Sequence, residues 1–225
     1  MAIKMQKLKI GDKVPELTLE WVKGGPIKLS EQIGKVVVIE VIQVNCAGCF
    51  SHGLPTAIGL SRKFPKDQVV VFGVGTAFED FRVNTLENLK LLMSQNKVVG
   101  APKEALGQLL LPGDMLPYKI EIPMAMDYVE KREITEALIE KNLKANDLYE
   151  ICSPAGKILM KRRIIEALEE NRYIAKLFTE FQLEGTPSTI VIDKKGILRD
   201  VRIRDEEELD GIIAKLLKED VSSRY

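Results

Sequence analysis

The chain has 225 residues, of which 45% are hydrophobic and 29% charged, enough to bury the core of one large domain with an insertion. Thirty-three Lys and Arg balance thirty-three Asp and Glu, so neither nucleic acid nor an anionic membrane is favoured as a partner. No apolar run follows the N-terminal lysines and no stretch is long enough to cross a bilayer. We therefore expect a cytoplasmic protein without a signal peptide.

The N-terminal region is predicted to form a β-hairpin. Gly11–Leu19 alternates between polar and apolar residues after a turn signal, which is typical of an edge strand, and Pro15 lies near its beginning. Gly24-Gly25-Pro26 predicts a turn, after which Ile27–Leu29 is expected to return antiparallel to the first strand.

A strand–helix–strand–helix pattern follows. Val36–Val44 is nearly all apolar and mostly β-branched, as in a strand covered on both faces. Cys49–Lys63 has helical spacing, and Pro55 is expected to kink this helix without ending it. Val69–Gly75 predicts a second strand and Asn84–Gln95 a second helix. This order indicates a parallel core with crossover connections.

The remainder divides into an irregular middle and a regular end. Tyr118–Met126 is expected to hold a short strand. Residues 128–182 are predicted to be mostly helical, broken at the turn signal Ser153–Gly156, and residues 128–173 of this stretch are predicted to form a helical insertion. Ser188–Ile192 and Ile197–Ile203 predict a strand–turn–strand unit. A final helix, which Asp205 can cap, has an apolar face formed by Leu209, Ile212, Ile213, Leu216 and Leu217.

Chemistry is concentrated in two of the three cysteines. Cys46 and Cys49 form a Cys-x-x-Cys pair directly after the predicted strand, whereas Cys152 is alone. Such a pair is either a redox couple or half of a metal site. A structural zinc site needs two further ligands, and beyond carboxylates the chain offers only His52 and Cys152. The redox alternative is therefore favoured, and His52 is expected at a solvated helix position.

The predicted position of Cys46, between a strand and a helix, favours a reactive thiolate. The first N–H groups of a helix are unpaired and carry partial positive charge, which lowers the pKa of a thiol placed there. Cys49 lies one turn further on. It is therefore positioned to attack a mixed disulfide formed by Cys46, which releases the reduced substrate.

Two more residues are candidates for the site. Glu40 stands six residues before Cys46 within the apolar strand, and a buried carboxyl with a raised pKa can take the proton from Cys49. The alternative is a solvated edge position or an ion pair with a lysine.

Pro187 follows Thr186 before the strand Ser188–Ile192. It is either an ordinary turn proline or a cis proline that frees the Thr186 backbone to bind a substrate chain.

These motifs together resemble the thioredoxin-like superfamily, closest to its redoxin branch of TlpA-type thiol–disulfide oxidoreductases and AhpC/TSA peroxiredoxins. The resemblance rests on Gly34–Val38, on Asn45-Cys-Ala-Gly-Cys49 and on Gly185–Gly196. It implies a thioredoxin-like α/β fold, in which Gly11–Leu19 looks like the N-terminal β-hairpin of the redoxin branch. The helical insertion at residues 128–173, before the cis-proline loop, is longer than the core of the family needs. The resemblance also implies a buried acid six residues before the nucleophile, where Glu40 stands.

The sequence departs from the relatives at positions that bear on function. Thioredoxins and TlpA-type proteins usually have Trp before the first cysteine, where this chain has Asn45. The peroxidatic motif of peroxiredoxins requires Pro and Thr at the positions of Ile39 and Gln43, so the donors that orient a peroxide are missing.

The resulting prediction is a thiol–disulfide oxidoreductase. In it Cys46 attacks, Cys49 resolves, Glu40 moves the proton, and Thr186 and Pro187 hold the substrate. No cofactor or metal is expected; the partners are protein dithiols or disulfides and an upstream reductant, and the residues do not indicate an oligomeric state. The alternatives are a divergent thiol peroxidase and a non-enzymatic metal-binding or scaffold module.

Overall fold

The computed structural model describes residues 7–170, 172–202 and 206–219. These residues divide into two compact units, of which the larger holds the described residues up to Tyr128 and from Ala175 onward, and the smaller those within Val129–Ile174. That the whole is one domain with an insertion at residues 128–173 stays a prediction. In the described ranges no helix combines the length and apolar character needed to cross a membrane.

The helices and strands mostly follow the predicted order. The strands are β1 (Leu19–Lys23), β2 (Val36–Ile42), β3 (Val69–Gly75), β4 (Met124–Asp127), β5 (Val129–Lys131), β6 (Tyr173–Ala175), β7 (Ser188–Ile192) and β8 (Leu198–Arg202). The helices are α1 (Leu54–Lys63), α2 (Leu86–Gln95), α3 (Pro102–Leu106), α4 (Glu136–Lys144), α5 (Pro154–Glu170), α6 (Lys176–Glu180) and α7 (Glu206–Lys218).

Within the described residues, six strands of the larger unit form one mixed sheet in the order β1-β4-β3-β2-β7-β8. β2, β3 and β4 are parallel, which confirms the parallel core, while β1 and β7 run antiparallel to their neighbours β4 and β2. All seven residues of β2 are buried: β3 and β7 flank the strand, and α1 and α7 are among the elements that pack against it. The central strand of the sheet therefore ends a few residues before Cys46.

The predicted N-terminal β-hairpin is wrong. Residues 11–18 form no continuous strand. Gly11 and Val14 lie against the β7–β8 turn, where their N–H groups donate to the carbonyl oxygens of Leu198 and Gly196. β1 starts only at Leu19 and pairs with β4.

The expected return strand of that hairpin is also absent, because its backbone N–H groups have other acceptors. Leu29–Gln32 is a 3₁₀ helix. The N–H groups of Leu29 and Ser30 donate to the carboxylate of Glu16, at 2.9 and 2.7 Å, so a side chain caps this turn where a neighbouring strand was expected.

The smaller unit contains α4 and α5, as the helical pattern predicts. It also contains β5 and the first two residues of β6, two strands that pair with each other and that the helical pattern missed. Its core is formed by Ile139, Leu143 and Leu168. The turn signal at Ser153–Gly156 marks the start of α5 and not a break within a helix, since Pro154 fits the first turn of a helix, where its missing N–H has no bonding role.

The C-terminal elements confirm the prediction. β7 and β8 form the antiparallel pair, and α7 buries Leu209, Ile213 and Leu216. The proposed end of the second strand at Ile203 and the helix cap Asp205 lie outside the described residues.

Candidate active site

Cys46 and Cys49 form a disulfide at the C-terminal end of the central strand β2. Their Cα atoms are 5.3 Å apart, within the usual range for such a bond. The two residues differ in exposure: Cys46 is partly exposed, whereas Cys49 is 0% exposed. A second molecule can therefore approach Cys46 and not Cys49.

The Cys46 sulfur is surrounded by backbone groups. The Cys49 N–H points at Cys46 Sγ over 3.1 Å, the kind of contact that stabilises a thiolate in the reduced protein. The carbonyl oxygen of Thr186 lies 3.5 Å from the same sulfur. The Thr186–Pro187 peptide is cis, which confirms the cis proline and places its loop beside the exposed cysteine.

The helix after the cysteines begins with a π-helical turn, Cys49–Gly53, and continues as α1. Pro55 lies at the start of α1, and the Leu54 N–H bonds to Cys49 O, five residues back. A proline ring clashes with the carbonyl of the residue four positions earlier, here Ser51. The wider π turn gives that ring room, so the expected irregularity is a π turn next to Pro55.

Glu40 is buried in β2, with 2% exposure, which excludes the solvated edge position. Thr189 stands opposite it in the antiparallel β2–β7 pair, and the Thr189 hydroxyl donates to Glu40 Oε2 at 2.8 Å. Burial disfavours the charged carboxylate and raises the pKa of Glu40 to about 8, although the Thr189 hydrogen bond lowers it. At neutral pH the side chain is therefore mostly protonated.

Gly53 brings the helix, Glu40 and Pro187 together. A Cβ at Gly53 would overlap Glu40 Oε1 and lie 2.6 Å from Pro187 Cβ. Only a residue without a side chain fits there, which explains a glycine in a helix where it is otherwise unfavourable. Because Gly53 lies one helical turn after Cys49, this contact places the Glu40 carboxyl beneath the same turn.

Asn45, which replaces the usual Trp, connects the cysteine turn to two loops, a role that the sequence analysis missed. Its side-chain N–H donates to Asp80 Oδ2 at 2.8 Å, and its Oδ1 accepts from Ala101 N at 3.0 Å. Its backbone N–H donates to Asn84 Oδ1 at 3.1 Å. Gly100 permits this approach, since a Cβ there would lie 2.5 Å from Asn45 Oδ1. Pairing across 35 to 56 residues leaves no local signal in the sequence.

Gln43 makes a similar connection to the cis-proline loop. It is 3% exposed; its amide N–H donates to Glu79 O at 3.4 Å, and its Oε1 accepts from the Thr186 hydroxyl at 3.3 Å. Both polar groups of this side chain are thus engaged within the protein. The sequence identified Gln43 only as a departure from the peroxidatic motif. In the structure its side chain links the cis-proline loop to the backbone at Glu79.

Two other residues were considered in the sequence, His52 and Cys152. His52 is exposed, as expected, and its Nδ1 lies 2.8 Å from the Ser51 hydroxyl oxygen. Cys152 is a free cysteine of the smaller unit. Within residues 7–170, 172–202 and 206–219, no three His, Cys, Asp or Glu side chains are grouped so that they could hold a metal ion.

The predicted site residues thus lie together, although their chemical roles stay predictions. Cys46 bonds to Cys49 and lies against Thr186. Glu40 and Pro187 approach the same glycine of the following helix.

Solved structures share this architecture. A thioredoxin-like superfamily protein is 26% identical, with 92% of this chain and 97% of that chain covered and a TM-score of 0.60. A thiol-disulfide isomerase from Corynebacterium glutamicum is 25% identical, with 93% and 98% covered and a TM-score of 0.58. An exposed lipoprotein thioredoxin from Streptococcus pneumoniae, at 16% identity, 90% and 100% coverage and a TM-score of 0.50, shares the fold. The predicted thioredoxin-like α/β fold class is confirmed.

Family membership follows from the sequence itself. No curated protein matches the chain. The model of the AhpC/TSA family, however, matches residues 10–201, a range that includes both cysteines, the buried Glu40 and the cis proline. The chain therefore belongs to the AhpC/TSA family, within the thioredoxin-like superfamily.

Proposed function

We propose that this protein is a thiol–disulfide oxidoreductase whose Cys46–Cys49 pair exchanges with the dithiols and disulfides of other proteins. The observation that carries the proposal is the unequal exposure of a bonded cysteine pair. Cys46 is accessible and faces a backbone N–H, whereas Cys49 is fully covered. This is the arrangement that a two-step exchange requires.

The exchange proceeds in two balanced steps when the reduced protein meets a substrate disulfide. The Cys46 thiolate attacks one substrate sulfur, forming a mixed disulfide and releasing the other substrate sulfur as a thiolate. Cys49 then loses its proton and attacks Cys46 Sγ, which releases the second substrate thiol and forms the Cys46–Cys49 disulfide. Two electrons have passed to the substrate. In the cytoplasm, where the sequence predicts the protein to act, a second dithiol returns them.

Glu40 is the proposed acceptor of the Cys49 proton. Its pKa of about 8 leaves about a tenth of the carboxyl groups ionised at pH 7, and it is this ionised form that accepts the proton as Cys49 attacks. The ionised fraction grows as the pH rises towards 8. In the reverse reaction Glu40 returns the proton to Cys49 as it leaves.

The cis-proline loop is the proposed substrate-binding element. The Thr186 carbonyl lies 3.5 Å from Cys46 Sγ, so a polypeptide that reaches this sulfur also passes the Thr186 backbone. An extended chain placed there has backbone donors and acceptors available for strand-like pairing.

Trapping with cysteine variants tests the proposal. A dithiol protein substrate in its oxidised form should accumulate as a mixed disulfide with Cys49→Ser, because the step that releases it is lost, and none should form with Cys46→Ser. Cys152→Ser is the matched control, since it removes the free cysteine and should leave exchange unchanged.

Three outcomes would contradict the proposal. Mixed disulfides that form equally with both variants would show that the two cysteines are equivalent. If stopped-flow oxidation of the reduced protein by hydrogen peroxide is much faster than that of a free thiol, the peroxidase alternative takes its place. Stoichiometric zinc or copper that is lost with Cys49→Ser would favour the metal-binding alternative.

A further inference from the structure

The helix that follows the cysteines lacks one hydrogen-bond donor. In the π-helical turn the Leu54 N–H bonds to Cys49 O. The next donor in that register would be the nitrogen of residue 55, which would bond to Phe50 O. Residue 55 is proline and has no N–H. Phe50 is 2% exposed, and a buried carbonyl without a partner is costly.

Tyr118 supplies the missing donor. Its hydroxyl donates to Phe50 O at 2.5 Å, across 68 residues of sequence. Burial raises the pKa of Tyr118 above its ordinary value of 10, so the hydroxyl keeps its proton and remains a donor throughout the pH range in which thiols exchange.

The backbone around Tyr118 is itself held in place. Asn96, which ends α2 in a left-handed conformation with φ of 58°, donates from its side chain to the carbonyl oxygens of Leu116 and Tyr118, at 2.7 Å each. The Leu116 N–H donates back to Asn96 O at 2.9 Å. The Tyr118 hydroxyl is therefore an anchored donor.

We propose that Tyr118 is a positioning residue for the Cys46–Cys49 couple, holding the Phe50 carbonyl and with it the adjacent Cys49 in the disulfide-forming conformation. The inference rests on the proposed function. Cys49 precedes Phe50 directly, so a fixed Phe50 peptide limits the positions that the Cys49 sulfur can take. This raises its effective concentration at Cys46. Without the hydroxyl, the dithiol form gains freedom that the disulfide form does not.

The first test is the redox equilibrium of Tyr118→Phe, which removes one oxygen and keeps the ring. Wild type and variant are equilibrated with defined dithiol buffers and the oxidised fraction is read by alkylation and mass. The equilibrium constant for forming the Cys46–Cys49 disulfide should fall about fivefold, which makes the potential about 20 mV less negative. Tyr149→Phe, in the smaller unit, is the matched control and should leave the potential unchanged.

Restoring the missing donor sharpens the test. Pro55→Ala returns an N–H to the helix, so Phe50 O regains a peptide partner whether the turn stays π-helical or becomes α-helical. In that background Tyr118→Phe should change the equilibrium constant less than twofold, so the double-mutant cycle shows coupling between residues 55 and 118. A hydroxyl with a merely structural role would lower stability without this coupled change in potential.

Each outcome decides the inference. It is overturned if Tyr118→Phe keeps the wild-type potential, or if its shift is the same with Pro55 and with Ala at that position. If Tyr118→Phe does not fold, Pro55→Ala is compared with the double variant, and both should fold. Their equilibrium constants for forming the Cys46–Cys49 disulfide should agree within twofold, and a larger difference refutes the proposal. A wild-type protein that forms no reversible Cys46–Cys49 disulfide would instead refute the proposed function.

Discussion

Replacing the buried acid Glu40 by Gln should stabilise the protein, and increasingly so as the pH rises. Glu40 has a folded-state pKa of about 8 against an ordinary value of 4.5. A raised carboxyl pKa contributes stability that is fully present below pH 4.5 and is lost as the pH rises through 8. Glutamine keeps an oxygen that can accept from Thr189 and carries no charge at any pH. The free energy of unfolding of the variant therefore does not fall as Glu40 ionises, whereas that of wild type does.

The size of the effect follows from the same two pKa values. Each pH unit between 4.5 and 8 changes the free energy of unfolding of wild type relative to the variant by about 1.4 kcal/mol. The relative gain of Glu40→Gln is therefore about 3 kcal/mol at pH 7 and about 5 kcal/mol above pH 8. These are large fractions of the stability of a typical domain.

Urea unfolding of the oxidised proteins at pH values from 5 to 9 measures this difference without a contribution from ionisation of the Cys46 and Cys49 thiols. Glu104→Gln, at an exposed position, is the matched control and should follow wild type at every pH. If the difference between wild type and Glu40→Gln stays constant from pH 5 to pH 9, Glu40 does not titrate in that range. The reasoning on its burial, and on its role as acceptor of the Cys49 proton, would then be refuted.

Two further substitutions test the packing around the cysteines. Gly53→Ala places a methyl group against Glu40 and Pro187 and should lower the free energy of unfolding by about 1–3 kcal/mol. Gly211→Ala, in open space on α7, should raise it by about 0.5–1 kcal/mol; equal effects in urea unfolding would contradict the close approach at Gly53. Asn45→Ala removes two side-chain hydrogen bonds and should lower the free energy of unfolding by about 1–3 kcal/mol. Its control is Asn142→Ala, which removes one exposed hydrogen bond within α4 and should lower the free energy of unfolding by less than about 0.5 kcal/mol. Equal losses for the two asparagine variants would show that Asn45 does not join the loops.

Some local features of the chain were predictable because their cause lies in neighbouring residues. The β-branched run of β2 requires cover on both faces wherever it is placed, and the turn Asp193–Gly196 connects two strands that are adjacent in sequence. The N-terminal hairpin was wrong for the opposite reason. Residues 11–18 alternate as a strand does, but the N–H groups of Gly11 and Val14 donate to the carbonyl oxygens of Leu198 and Gly196, far along the chain.

The candidate site divides in the same way. Cys46, Cys49, Glu40 and Pro187 could be identified from residue type and spacing, since a Cys-x-x-Cys pair between a strand and a helix and an acid within an apolar run are local patterns. Asn45 and Tyr118 could not be identified in this way, because no local pattern distinguishes them from other asparagines and tyrosines in loops. Only the groups that they contact show their role.

The sequence by itself determined the order of the central elements, the redox pair and the placement of an acid in a buried strand. Only the tertiary structure decided that β1 pairs with β4, that Gly53 lets Glu40 and Pro187 meet beneath the cysteine turn, and that Tyr118 replaces the donor missing at Pro55. The physical reason is that hydrogen bonds between residues distant in sequence depend on the path of the whole chain. Burial patterns and helix or strand periodicity depend on the types of neighbouring residues.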